Sequence, residues 1–367
     1  MPDLGVRLQL MIGATVPLPA PYAVVDALVS LEVTNRDHER DGFQMTFTIG
    51  KESPIDYGLI LSGILDPPSR VIITVIIGVL PQVLIDGIIT SHQVMPSNRP
   101  GESRLVITGE DISLKLDLEE KSETYPNQTD SVIVTRLVAK YGLIPKVTPT
   151  TDVPIVLDRT PSQQGTDLAF IQQLAQRNGF VFYIDSPLPN VNIAYWGPDN
   201  RLGMPQPALT QNMGPDTNVD TPITFNFNAL GPATPLVTII EPITKLAIPI
   251  PVPSGLRPPL ASRPAASLRK TLPRNTANLN PAQATLRAIS TANQSSDALT
   301  ATGEVDAMRY GRALRSRQLV GVRGVGFSYD GLYYVKEVTH QIHVGQYKQR
   351  FTLSREGRGA LTPAVIP

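Results

Sequence analysis

The stretch GVRGVGFSYDGLYYVKEVTHQIHVGQYKQRFTLSRE, residues 321–356, decides the fold class. Leu332 to Val344 reads as one long strand and Tyr347 to Arg355 as its return, joined at Gly345-Gln346. A hairpin of this length is not stable alone in water. It must pair within a larger sheet or across a subunit boundary. Nothing in it resembles a catalytic site, and it points to a building block rather than an enzyme.

Upstream, residues 30–118 alternate with the period of strands. Phe43, Met45, Phe47 and Ile49 point one way while Gln44, Thr46 and Thr48 point the other. Leu31 and Val33 do the same before them, and Leu105 and Ile107 after them. Turn clusters at 35–42, 66–70 and 95–102 divide these runs, so an all-β domain is expected. The apolar run 71–89, VIITVIIGVLPQVLIDGII, approaches the length of a membrane span. Its β-branched residues, broken by Gly78 and Pro81, predict a buried hairpin instead.

The texture changes after residue 118. Thr129-Asp130-Ser131 offers caps for a helix running to Tyr141 with Gly142 beyond its end. Thr166-Asp167 starts a second helix that closes at Asn178-Gly179, with Leu168, Ile171, Leu174 and Ala175 on one face. Strands follow at Phe180–Ile184 and Val191–Trp196. Residues 219–250 read as extended. Between Glu241 and Asp297 stand seven basic residues and no acidic one, in a segment rich in Pro, Ser and Ala, which predicts an extended arm or mobile linker. A helix is expected around 303–317, from Glu304, Val305, Met308, Tyr310 and Leu314, leading into a strand at 319–323. The expected domains are 1–118, a first β-barrel; 119–214, an α/β insert; 215–250, strands joining a second barrel; 251–302, the basic arm; and 303–367, completion of the second barrel. No repeat of fixed period is visible, which argues against a solenoid or propeller.

Composition excludes several functions. The 32 basic and 32 acidic residues cancel, so no bulk field recruits nucleic acid or an anionic membrane. Charged residues are 17% of the chain, below the roughly 25% usual for soluble domains, which suits a surface covered by neighbours. With no Cys there is neither a disulfide framework nor a thiolate metal site. The N-terminus carries only Arg7 as a basic residue in its first 21 and is a poor secretory signal. Of the four histidines, His340 and His343 are three apart on a strand and point to opposite faces, while His38 and His92 fall near turns. Solvated or barrel-edge histidines are expected, with no metal site. There is no G-x-S-x-G. Glu110, Asp111 and Glu119 could support a peptidoglycan-cleaving enzyme, and Trp196 with the tyrosines near 333 a glycan-binding surface, but exposed acidic turns and a packed Trp anchor are the plainer readings. GVRGVG fits neither phosphate-loop pattern and predicts a tight, bulged start to a strand. The basic arm lacks aromatics for base stacking and is expected to lie against acidic neighbours.

The segments VTNRDHERDGFQMTF (33–47), LIDGIITSHQV (84–94), VTGEDISLKLDLEE (106–120), TRLVAKYGL (135–143) and RTPSQQGTDLAFIQQLAQRNGFVFYID (159–185), with GLYYVKEVTHQI and YKQRFTLSRE at the end, together resemble the phage late control gene D family. These are the baseplate hubs of contractile tails, related to the hub protein of T4-like phages, the N-terminal part of VgrG proteins and hubs of contractile injection systems. D-x-x-F-I-x-x-L-A-x-R-N-G-F-x-F-Y at 167–183 is the most specific piece. The resemblance implies an α+β, mainly β fold with two tail-tube-like antiparallel β-barrels and a small α/β insert. It implies a homotrimer forming a ring of six barrels, which joins a hexameric inner tube protein to a trimeric spike and to other baseplate proteins. Such a hub is structural, with no catalytic, cofactor-binding or metal residue, no nucleic acid partner and no membrane insertion. It is made in the cytoplasm without a signal peptide and assembled into a phage tail or injection particle. The chain stops at Pro367 without the OB-fold and β-helix of VgrG proteins, so the spike is expected to be a separate protein. Whether the particle is a phage tail, a tailocin or a cellular injection device stays open.

Overall fold

The computed structural model describes residues 5–50, 57–99, 101–152, 160–199, 201–240, 247–250, 257–271 and 281–361. Strands β1 (Arg7–Gly13) and β2 (Leu18–Pro19) lead into a short helix α1 (Tyr22–Asp26). Then come β3 (Leu28–Arg36), β4 (Gly42–Thr48), the one-turn helix α2 (Gly58–Leu61), β5 (Arg70–Ile77), β6 (Leu80–Met95) and β7 (Arg104–Asp111). They lie side by side in the order β3-β4-β7-β6-β5-β1-β2. Alternation drives the curl: every second residue of β7 is buried, and Leu31, Val33, Phe43, Met45, Phe47, Val71, Ile73, Leu105 and Ile107 meet Leu10 and Ile12 of β1 in one core. First and last strands thus share an interior. The 71–89 run is the expected buried hairpin of β5 and β6.

The insert follows as β8 (Glu120–Thr124), α3 (Asp130–Lys140), β9 (Ile144–Val147), β10 (Ser162–Thr166), α4 (Asp167–Asn178), β11 (Phe180–Leu188) and β12 (Val191–Pro198). Both longer helices start where their caps predict. Thr129 Oγ1 accepts from Val132 N, Thr166 Oγ1 accepts from Ala169 N, and Gly179 ends α4 at φ 71°. Ile133, Val134, Leu137 and Val138 pack with Leu168, Ile171 and Leu174 around Trp196. Trp196 is fully buried, with its indole N–H donated to Ile171 O at 3.3 Å and Phe180 edge-on to its ring. It is an anchor, in a strand rather than a loop.

The second lobe contains β13 (Gln206–Thr210), β14 (Val219–Phe227), β15 (Ala233–Pro235), β16 (Val237–Ile240), β17 (Ala247–Ile250), β18 (Ala261–Pro264), β19 (Arg269–Thr271), α5 (Pro281–Ser295), β20 (Leu299–Asp306), α6 (Ala307–Tyr310), β21 (Leu319–Arg323), β22 (Gly331–His343), β23 (Gln346–Arg355) and β24 (Gly357–Ala360). Six of these strands run β14-β20-β23-β22-β21-β13. Its ends meet: Thr210 N donates to Asn218 Oδ1 (2.8 Å), Asn218 N to Thr210 O (3.2 Å), and Ile223 N to Gln211 Oε1 (2.9 Å). Leu209, Ile223, Ala301, Val320, Val335, Phe351 and Leu353 fill the barrel so closed.

Two expectations need correction here. Residues 303–317 are not one helix. β20 occupies 299–306 because it pairs on both edges, with β14 and β23, and only Ala307–Tyr310 is helical before Gly311 ends it at φ 80°. The basic segment is no detached arm where it is described. β18 pairs with β24, β19 with β15, and α5 packs beside α4, where a Cβ on Gly179 would come within 2.9 Å of Leu286 O. Arg257 donates to Asp199 Oδ2 at 2.6 Å, the acidic neighbour expected of it. Residues 251–256 and 272–280 lie outside the described residues.

The two lobes also repeat one another. β3-β4-β7-β6-β5 and β14-β20-β23-β22-β21 have the same order in space, the same order along the chain and all-antiparallel pairing. β6 carries one extra residue, Thr90, between its pairs to Gly109 and Thr108; β22 carries one, Lys336, between its pairs to Leu353 and Thr352. β3 bulges at Val29 and β14 at the corresponding Asp220. Even a loop bond recurs, Ile89 N to Ser69 O matching Val335 N to Gln318 O. The sixth strands differ: β1 joins β5 antiparallel, β13 joins β21 parallel.

Candidate assembly interface

The lobes are joined by strand pairing. β22 is long enough to serve two partners on one edge: Gly331–Tyr334 pairs with β21, and Glu337–His343 pairs with β3 from Arg36 to Ser30. The Lys336 bulge separates the two stretches, and its carbonyl accepts from Asp37 N at 2.8 Å. This seam makes one thirteen-stranded sheet of the two barrels. Thr34 and Thr339 share a hydroxyl hydrogen bond of 3.2 Å across it, Gln341 donates to Glu32 at 3.1 Å, and Arg36 to Glu337 at 3.3 Å.

Beneath the seam lies a buried charged node drawn from three parts of the chain. Arg317, held at φ 62°, donates to both oxygens of Asp41 (2.8 and 3.2 Å) and lies 4.4 Å from the ring centre of Tyr183 in the insert. Asp111 accepts from Asp41 N at 2.8 Å and Ser113 N at 2.7 Å. Burial, and then the charge of Asp41, push the Asp111 carboxyl up to about 6. Arg315 reaches the first lobe by donating to Val83 O at 2.7 Å. Asp86 receives Arg70 on both oxygens and Asn192 of the insert at 2.9 Å. A cavity of about 80 Å³ sits among Asp41, Asp86, Asp111, Asp185, Arg315 and Arg317. These paired charges tie the two lobes and the insert together. They offer no nucleophile beside a base.

The residues weighed for chemistry do not converge. Glu110 is tied to Arg40 at 2.5 Å, Asp111 is in the node, and Glu119 is exposed beside Lys121 at 3.5 Å. Tyr333 is buried, donating to Tyr329 O at 2.6 Å with Arg355 4.3 Å over its ring. His340 corrects the expectation of solvated histidines: it is buried, bonded to Tyr347 Oη at 2.8 Å, and burial, then Arg315, lower its pKa to about 3. Among the described residues no group of three or more His, Asp or Glu could hold a metal ion. Gly321 to Arg323 finish β21, and Gly324 (φ 82°) and Gly326 (φ 94°) make the tight turn before β22. A Cβ on Gly324 would strike the carbonyl of Gln211. No helix among the described residues is long and apolar enough to cross a membrane.

Residues 71–77 are buried almost throughout within the chain, and Glu337–His343 spends its edge on the chain's own first lobe. The node residues Asp41, Arg315 and Arg317 carried no signal of spacing or motif. The exposed remainder is specific. β6 spans 16 residues, but β5 covers its edge only to Ile88. Beyond that, Thr90–Gln93 and Met95 are exposed and no strand pairs with that edge among the described residues. At the β14 end of the sheet, the outer edge of β14 from Thr224 onward is likewise unpaired among the described residues.

This architecture is shared with solved structures. A tail protein from Neisseria meningitidis MC58 superposes with a TM-score of 0.64 at 13% identity, over 97% of this chain and 98% of that one. The 43 kDa tail protein of prophage MuSo2 from Shewanella oneidensis gives 0.62 at 12% identity, over 96% and 99%. The chain has the fold of phage tail proteins. Escherichia coli c3393, a type VI secretion component reported as similar to the T4 tail proteins gp27 and gp5, gives 0.56 at 13% identity over 93% of this chain and 77% of its own. A sequence-family match to the Alg8 N-terminal domain covers residues 27–195, under half of the chain. It starts after β1 and stops inside β12, cutting through two structural units. No curated protein matches the sequence.

Proposed function

We propose that this protein is a structural hub of a contractile tail or injection system. Three copies form a ring that joins the hexameric inner tube to a trimeric spike, with other baseplate proteins around it. The observation that carries this reading is the repeat: two barrels of one strand path, joined edge to edge in one chain. A head-to-tail contact of this kind builds rings when its rotation closes. Three chains then present six like barrels to a six-fold tube while keeping three-fold symmetry toward the spike. The tail-protein fold supports the setting, and the paired, buried acids argue for shape over catalysis. Mass photometry of the purified protein, followed by imaging of the ring, tests it. The expected species is a trimer with six lobes. A stable monomer at tens of micromolar, or hydrolysis of peptidoglycan lost on changing Glu110 or Glu119, would overturn it.

A further inference from the structure

We infer that the unpaired edge stretches of β6 and β14 pair with each other in neighbouring copies, in the register that β3 and β22 use within one chain. β14 of one copy would lie antiparallel on residues 91–95 of β6 in the next, with Phe227 opposite His92, Asn226 opposite Gln93, Phe225 opposite Val94 and Thr224 opposite Met95. The inference rests on the ring reading and names the contact that makes the ring.

The register follows from the repeat. The bulges Thr90 and Lys336 align β6 with β22, so Gln93 corresponds to Thr339 and Val94 to His340. The inner pairs Val33–Phe43–Gly109 and Phe225–Ala301–Leu353 align β3 with β14, so Asn226 corresponds to Thr34. Inside the chain Thr339 faces Thr34 and His340 faces Val33. Moving those partners to their equivalents gives the pairs above. The free stretch of β6 is the one that, in β22, receives β3.

The chemistry of both stretches agrees. Natural edge strands are blunted by Pro, Lys or other charges against pairing with foreign chains. Ser91–Met95 and Thr224–Asn228 carry no Pro, Lys, Arg, Asp or Glu. The outer strand β2, by contrast, carries Pro19 just after Pro17, and Pro222 precedes the open stretch of β14. Val94 and Phe225 are only half-buried though each packs against its own core, whereas their counterpart in the sealed seam, Val33, is fully buried.

The test uses the absence of Cys from the chain. Gln93→Cys with Asn226→Cys places the two thiols on β6 and β14, seven strand steps apart along one chain, so a disulfide can form only between copies. On mild oxidation the expected result is a covalent trimer on non-reducing gels. Met95→Cys with Thr224→Cys is a second in-register pair, also at exposed positions. Gln93→Cys with Thr224→Cys is two residues out of register, where side chains lie about 7–8 Å apart, and should cross-link at least tenfold more slowly. Light scattering on each variant before oxidation separates the failures. If trimers form but neither in-register pair cross-links faster than the control, this register is wrong and the ring stands. If the protein stays monomeric and uncross-linked, both fall.

Discussion

The first and second lobes follow one strand path but fill it with different side chains. Where the first has Met45 and Leu105 inside, the second has Gly303 and Gln349 at the equivalent positions. Gln349 is fully buried, donating to Arg312 O and accepting from Leu314 N, so it fastens a loop where Leu105 fills space. Both lobes seat a Phe against a cross-strand Gly, yet on opposite strands: Phe43 of β4 over Gly109 of β7, and Phe351 of β23 over Gly303 of β20. The path is therefore set by alternation and bulge position, which leave the volume to be filled in more than one way. The lobes differ most in their edges, since one β3-type edge is sealed inside the chain and the other is open.

The largest expected effect comes from the node that both lobes share. Arg317→Ala leaves Asp41 buried without its cation, a change that typically costs about 3–5 kcal/mol. Urea titration should show the midpoint falling for both lobes together, and a loss under about 1 kcal/mol would deny the node its role in tying them together. Gly109→Ala comes next. Its methyl would meet the Phe43 ring and the carbonyl of Ile88, and backbone cannot yield, so a cost of about 1–3 kcal/mol is expected. The nearest atoms a methyl at Gly303→Ala would meet are ring atoms of Phe351, at 2.7–3.4 Å, and the change should cost less. Equal costs would mean that the two seats are the same, contrary to the contrast drawn above.

Much of this was legible in the sequence because its signals are local. The hairpin at 71–89 follows from its β-branched run broken by Gly78 and Pro81, and the cap candidates Thr129-Asp130-Ser131, Thr166-Asp167 and Gly179 bracket the ends of α3 and α4. The failures are long-range. Val305, Met308 and Leu314 have helical spacing, but pairing on both edges holds 299–306 extended. Arg317 meets Asp41 across 276 positions, which no spacing rule reaches. The repeat was invisible for the same reason that it is informative, since pairs such as Met45 and Gly303 share a place and not a chemistry.

Acid titration sharpens the comparison through two buried groups of opposite sign. Asp111 in the first lobe has its pKa raised to about 6 by burial and Asp41, so the folded state holds its proton more tightly than the unfolded chain. That contribution is complete below about pH 4, the ordinary aspartate range, and is lost as pH rises through about 6. His340 in the second lobe, lowered to about 3 by burial and Arg315, works the other way. The unfolded chain takes up its proton first, so stability falls as pH drops from about 6.5 toward 3. Asp111→Asn should steepen the acid loss of stability between about pH 4 and 6, and His340→Gln should flatten it. Thermal melts across that range that leave both variants parallel to the parent would remove these groups from the account.

The smallest effect should come from the rim of the seam. Arg36 and Glu337 form an ion pair of 3.3 Å, with each side chain 41% exposed, and Arg36 also lies 3.5 Å from Glu39. Water and salt screen such pairs, so Glu337→Ala should cost about 0–1 kcal/mol, and less at high ionic strength. The seam's strength should lie instead in its backbone ladder and in the apolar pair of Leu31 and Ile342 beneath it. Ile342→Asp puts a charge in that place and should cost more than Glu337→Ala in the same melts. The reverse order would mean that the lobes are held by their surface charges, and that the open stretches of β6 and β14 need more than strand pairing to find a partner.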